Sequence, residues 1–244
     1  MIVAAAIAPH GLPAFELGPT REALEEVGRR LERAGPEAIV VVTPHNVHVD
    51  GHFAVVTAGK MAGSVDGHEL EREVDRELAA AILAELSPAV GVSYGGNDPA
   101  EAVMPLDWGA LIPLAFLPEL PVVVVSPARD LPLDEHVRAG EAIARAPGRL
   151  ALVASADHGH AHDRDGPYGF DPASAEYDAR VVELVRENRL AKLPELEELA
   201  GPAKADSLWQ LVMLHGALGD GWRAELLAYE RPTYFGMLVA VFEP

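Results

Sequence analysis

Two histidines stand in matched settings: His10 in Pro9-His10-Gly11 and His45 in Pro44-His45-Asn46, each just past a continuous apolar run. Neutral imidazole is the commonest protein ligand for divalent cations, and two that converge make a natural pair of ligands. The plainer reading makes them two loop histidines at strand ends. A third feature is Ser155 to Asp163, SADHGHAHD, where Asp157, His158, His160 and His162 alternate with smaller residues. Held extended, its three histidines would point one way and bind zinc by themselves; otherwise the run is a solvated polar loop. The chain has no cysteine, so disulfides, thiolate-held zinc and cysteine nucleophiles are all excluded. Any metal must be held by His, Asp or Glu. Tyr168 and Phe170, in the Gly- and Pro-punctuated loop that follows, can line a flat aromatic pocket. Asp171, before Pro172, has the character of a helix cap.

Elements able to position these groups are visible along the chain. Ile2 to Ala8 and Ala38 to Thr43 are continuous apolar runs, as expected of strands covered on both faces. Val90 to Tyr94, Val122 to Ser126 and Leu150 to Ser155 have the same character. Between them, helices are predicted over 20–34 (Leu24, Val27 and Leu31 on one face, Gly35-Pro36 as the stop), over 68–86 (Leu70, Val74, Leu78, Ile82 and Leu86 spaced by four) and over 133–146. Further helices are expected over 171–188, 193–199 and 207–218, with closing strands over 223–229 and 235–242. No repeat or linker marks a domain cut. Strands alternating with helices predict one α/β domain over 1–244, a mostly parallel central sheet with helices on both faces. In such sheets ligands bind beyond the carboxyl ends of the strands, where His10, His45 and the Ser155–Asp163 run all fall.

Composition narrows the partners. The chain has 244 residues, 49% of them hydrophobic, enough for a sizeable core. Its formal charge of −19, spread along helix faces, repels nucleic-acid phosphates and anionic lipid. Residues 1–8 lack the basic start of a signal peptide, and the apolar stretch 111–125 is broken by Pro113, Pro118 and Pro121. A cytoplasmic protein is expected. The apolar stretch 111–120 could serve an interface in a homo-oligomer.

Taken together, PHG near the start, TPHN after the second long strand, SADHGH after a third, then GPYGFDPASAEYD, WQLVMLHGALGD and PTYFGMLVAVF resemble the LigB superfamily of class III extradiol dioxygenases, which includes the Memo-like proteins. The resemblance spans residues 2 to 242. It implies an Fe(II) centre held by two histidines and a carboxylate, with Zn(II) or Mn(II) able to fill the same ligand set. His10 and His45 match the histidine ligands and His160 the catalytic acid/base. The carboxylate falls at Asp206, which could equally cap the helix after it, and Glu230 is the alternative. Trp108, His158 and Tyr168 are expected on the substrate side. Trp108, in Leu106-Asp107-Trp108-Gly109, stands where ring-cleaving members often carry a histidine. The implied activity is O2-dependent cleavage of a small catechol-like aromatic. Two other readings are a Memo-like metal-binding or redox protein without ring cleavage, and a zinc hydrolase built on His158, His160 and His162. The last run resembles the HxHxDH signature of metallo-β-lactamase-type hydrolases only in part, because its order is H-x-H-x-H-D.

Overall fold

A computed structural model describes residues 1–94, 98–219 and 221–244; Asp220, which ends the WQLVMLHGALGD stretch, lies outside them. The main sheet has eight strands in the order β10-β11-β1-β9-β2-β8-β3-β6. Its centre is four parallel strands: β1 (Ile2–Ala8), β9 (Leu150–Ser155), β2 (Ala38–Val42) and β8 (Val122–Ser126). Their residues are buried almost without exception, which explains their unbroken apolar sequences. One flank is antiparallel, with β11 (Met237–Glu243) on β1 and β10 (Arg223–Glu230) outside it. On the other flank β3 (Phe53–Val56) runs antiparallel to β8 and carries β6 (Ala89–Val92) in parallel.

Alternate residues of the central strands feed two separate cores. Ile7, Val40, Val42 and Leu152 face α2 (Arg76–Glu85), α4 (Leu133–Arg145), α5 (Pro172–Arg186) and α7 (Leu208–Leu218). Ala6, Val41 and Val153 face α1 (Pro19–Ala34) and α3 (Trp108–Leu114). A 3-10 segment (Leu190–Leu196) and α6 (Glu197–Ala203) lead into α7. The expected single domain with helices on both faces is the architecture observed.

Three expectations need correction. The 68–86 stretch is not one helix: β5 (His68–Glu73) comes first, and α2 begins only after the Asp75 side chain caps it through the Leu78 amide. Leu70 and Val74 are four apart, but the alternation HELERE is also a strand pattern, and pairing with β4 (Lys60–Val65) decides in its favour. That pair, with β7 (Val103–Pro105), forms a second, three-stranded sheet that the apolar pattern did not announce. The 193–199 helix divides between the 3-10 segment and α6.

The apolar 111–120 stretch is largely consumed internally, with Leu111, Ile112 and Leu114 fully buried. Among the described residues, no helix is long and apolar enough to cross a membrane.

Helix α7 is seated unusually close to α4. A Cβ at Gly140 would run into the Met213 carbonyl oxygen, and one at Gly216 into that of Val137. Gly140→Ala brings a helix-propensity gain of about 1 kcal/mol but forces α7 outward, an overpacking cost of typically about 1–3 kcal/mol. Because the obstacle is backbone, which no rotamer change relieves, the cost wins. Urea unfolding is expected to show net destabilisation; a variant as stable as the parent would contradict this account of the α4–α7 contact.

Candidate metal centre and cavity

β1 and β2, whose ends carry His10 and His45, are not adjacent; β9 lies between them. The two histidines therefore converge over the end of β9 from opposite sides, and β9 itself delivers Ser155, Asp157 and His160 to the same place. The two ring Nε2 atoms are 3.1 Å apart. Asp206, on the residue pair that precedes α7, brings its Oδ2 to 3.3 Å from His10 Nε2 and 3.7 Å from His45 Nε2. Among the described residues, His10, His45 and Asp206 are the group of three whose donor atoms all lie within 4.8 Å of one another.

The donor set fits a divalent cation. Ligand bonds of about 2.1 Å put neighbouring donors about 3.0 Å apart at right angles and about 3.4 Å apart in a tetrahedron; the two spacings to His10 fall in that range, and the His45–Asp206 spacing of 3.7 Å is somewhat wider. Donor orientation fits as well. Ser155 Oγ donates to the Gly109 carbonyl, so it must accept from His10 Nδ1 at 2.9 Å. That fixes the Nδ1–H tautomer and leaves the Nε2 lone pair facing Asp206 and His45. The buried Asp206 Oδ1 has no hydrogen-bond partner, and the cap position of α7 is Ser207, with no side-chain cap bond. Asp206 is thus not spent on capping its helix. The alternative carboxylate, Glu230, accepts from the amide and hydroxyl of Thr20 at the start of α1 and stands apart from the cluster.

Local structure holds His45 in place. Asn46 after it adopts φ 74°, a left-handed conformation that asparagine tolerates better than most residues. Its amide donates to Asp107, and Ser126 Oγ donates to the His45 carbonyl. Gly109, in the first turn of α3, lets that helix approach: a Cβ there would come within 2.8 Å of the His45 ring. Trp108 beside it is half-exposed, its ring centroid 4.6 Å from that of His45.

The electrostatics follow from crowding. Burial pushes the His10 imidazolium down, but Asp157 and Asp206 outweigh it and carry the group up to about 9. Burial and the charge on His10 push His45 down to about 4. Burial works to raise Asp206, yet His10, His160 and His45 hold it below the usual carboxylate range. Asp157 is raised by burial and by Asp206. It accepts the His10 amide at 3.1 Å, with its other oxygen 3.5 Å from His10 Nε2. Sequence reasoning had Asp157 in view but gave it no role; its signal was its place two residues past β9.

The SADHGHAHD run is not extended, and its histidines go three ways. His160 donates from Nδ1 to the His158 carbonyl at 2.6 Å, which leaves Nε2 free of a proton in the neutral ring and 4.0 Å from Asp206 Oδ2. The ring stacks on Phe235. His158 is fully buried, with Nδ1 on Ser207 Oγ and no partner for Nε2, and it does not line the cavity. His162 faces away, with Nε2 2.8 Å from Asp178 and Nδ1 accepting from Arg231. The histidines proposed for a zinc hydrolase do not share a centre.

Above the donors opens a cavity of about 760 Å³ lined by the centre's residues and by Trp108, Tyr168, Tyr234 and Phe235. Tyr168 and Trp108, expected on the substrate side, are on its wall. Tyr234 and Phe235 were not singled out from sequence, although PTYFG lies in the stretch that carried the resemblance. Gly11 admits the Phe235 ring, which any Cβ there would strike.

Comparisons with known proteins bear on the family and the fold. The family model described as the catalytic LigB subunit of aromatic ring-opening dioxygenase matches residues 11–241. Protein CA_C1420 of Clostridium acetobutylicum is 24% identical over 232 residues, covering 86% of this chain and 49% of that protein. The chain thus spans about half the length of this curated relative. The crystal structure of the uncharacterized protein JW3007 from Escherichia coli K12 superposes with a TM-score of 0.72 at 18% identity, covering 99% of this chain and 100% of that one, a likeness of fold.

At pH 7 the metal-free centre carries a proton on His10, whereas His45 and Asp206 are already deprotonated. Binding one divalent cation is expected to release close to one proton, and affinity to climb with pH up to about 9 and level off above it. Calorimetric titration in buffers of different ionisation heat measures the release; no proton released at pH 7 would refute the assignment. Ser155→Ala, which frees the His10 ring, should weaken metal binding by about 10–100-fold.

Proposed function

Because the chain belongs to the LigB family of aromatic ring-opening dioxygenase catalytic subunits, we propose that it is a cytosolic non-haem Fe(II) extradiol dioxygenase, opening a small catechol-like ring beside a hydroxylated carbon with O2. The observation that carries the reading is the convergence of His10, His45 and Asp206 at the floor of an aromatic-walled cavity, with His160 Nε2 alongside. A ferrous ion held by these two imidazoles and one carboxylate would relay electron density from a bound catecholate to triplet O2, which otherwise reacts slowly with a closed-shell ring.

The chain's own groups account for the remaining tasks. Trp108, Tyr168, Tyr234 and Phe235 give the ring flat partners and hold it over the donors. Holding the reactants together removes most of the entropic cost of their encounter, an effective molarity of about 10⁵ M or more. The fixed tautomer of His160 presents a lone pair able to take a phenolic proton and hand it back later. Asp206, held ionised in a buried place, would offset one of the two charges of a ferrous ion bound there.

One observation favours a second reading. Trp108 packs on His45 where ring-cleaving relatives often carry a histidine, so a donor or acceptor beside the substrate is replaced by an apolar face. A Memo-like metal-binding protein would keep the centre without the turnover.

The test is anaerobic loading with Fe(II), followed by oxygen uptake and the appearance of a yellow semialdehyde with a panel of catechols. His160→Ala should keep its metal, measured by elemental analysis, and lose about 10²–10⁴-fold in kcat. His10→Ala, His45→Ala and Asp206→Ala should each lose the metal. Metal content untouched by the His10 and His45 changes would remove the basis of the reading. Tight metal binding with no turnover across the panel would favour the Memo-like alternative.

A further inference from the structure

Resting on the ring-opening reading, we infer that the cavity selects a catechol carrying a cationic arm, a protonated amine, with Glu16 as its counter-charge, and turns away carboxylated catechols. The first observation is the lining. Its ionisable side chains are Glu16, Asp157, Asp206, His10, His45, His160 and the phenols of Tyr168 and Tyr234, with no lysine or arginine. Asp157 and Asp206 face His10 at 3.5 and 3.3 Å, so their charge is used within the donor cluster. Glu16 is different. It follows the 3-10 turn Leu12–Phe15 on the cavity wall, is exposed, and takes part in no ion pair among the described residues.

The nearby cations are committed elsewhere. Arg21, beside Glu16, donates to the Phe15 carbonyl and pairs with Glu25; Arg129 donates to the Pro44 carbonyl and lies over Trp209, Arg231 donates to His162, and Arg164 lies over Phe170. A substrate carboxylate would enter without a counter-ion and meet Glu16, a like-charge contact that discriminates by repulsion.

The second observation is the aromatic rim. Trp108 and Tyr168 are 48% and 54% exposed, large apolar surface that contributes little to folding. Tyr168 and Tyr234 have ring centroids 6.1 Å apart, and Tyr234 and Phe235 4.9 Å. Such faces stack on the substrate ring and also attract an ammonium group brought within about 6 Å. The third is the net charge of −19, which concentrates cations rather than anions around a cleft.

Three probes share a two-carbon spacer and differ in the charge at its end: the aminoethyl, ethyl and carboxyethyl derivatives of catechol. Their affinities for the Fe(II)-loaded protein are measured anaerobically by tryptophan fluorescence or calorimetry, so the readout is binding and not turnover. The aminoethyl compound should bind at least about tenfold tighter than the carboxyethyl one, with the ethyl compound between and the preference shrinking in salt. Glu16→Lys, at an exposed position with metal content and circular dichroism as controls, should abolish or reverse the preference. Equal affinity for all three, or preference for the carboxyethyl arm, overturns the charge selection and leaves ring opening standing. A preference for the amine undiminished in Glu16→Lys overturns the assignment of Glu16. Failure of all three to bind overturns the ring-opening reading and this inference with it.

Discussion

The site depends on one electrostatic constraint: lone pairs from His10 Nε2, His45 Nε2 and Asp206 Oδ2 are packed within 3.1 to 3.7 Å of one another in a buried place. Donors that close repel unless something positive lies among them. Without metal, the remedy is a proton retained on His10, which Asp157 and Asp206 together carry up to about 9 against the effect of its own burial. A divalent cation satisfies the same three atoms with more charge. The high affinity of His10 for a proton and the suitability of the site for a metal are therefore one property, the second expressed when the first is displaced.

The sheet order makes the crowding possible. Strands two positions apart are separated by about 9–10 Å, too far for backbone-adjacent groups to meet but matched to two imidazoles reaching inward over the strand between them. β9 fills that gap and places a serine, not a bulky residue, under the His10 ring, so the spacer is also the anchor. The third donor comes from outside the sheet, just before α7, whose position is set by backbone contact with α4 at Gly140 and Gly216. Precision at Asp206 is thus inherited from helix packing on the far side of the sheet from α1 and α3.

Much of this was legible in the sequence. The central strands announced themselves because a parallel strand buried on both faces must be apolar throughout, and PHG and PHN mark where two of them end. Strand order was not legible: His10 and His45 looked like neighbours, since nothing in either segment records that residues 150–155 insert between them. The second sheet escaped because β5 satisfies both a four-residue and a two-residue spacing, and only pairing with β4 separates the two. Asp206 was reached through family resemblance, not through its surroundings, because a carboxylate before a helix has the signature of a cap whether or not it caps. Asp157, Tyr234 and Phe235 act through tertiary proximity to His10 and His160, which no local pattern encodes.

What separates the roles of His10 and His160 is the acceptor of each Nδ1 proton. His10 gives it to a serine on the central strand, itself tied to Gly109 in α3, so its Nε2 is held by rigid elements on both sides and suits a permanent ligand. His160 gives it to a carbonyl two residues back in its own loop and rests on the Phe235 ring. Its Nε2 lies 4.0 Å from Asp206 Oδ2, farther than either ligand histidine, with the cavity on its open side. On the ring-opening reading, identical side chains thus take different work: the imidazole locked among donors would hold a cation, and the one set back from them would keep a lone pair for protons that come and go. The distinction rests on Ser155 alone at one end and a single peptide carbonyl at the other, so small changes in that loop would alter proton handling before they altered the metal.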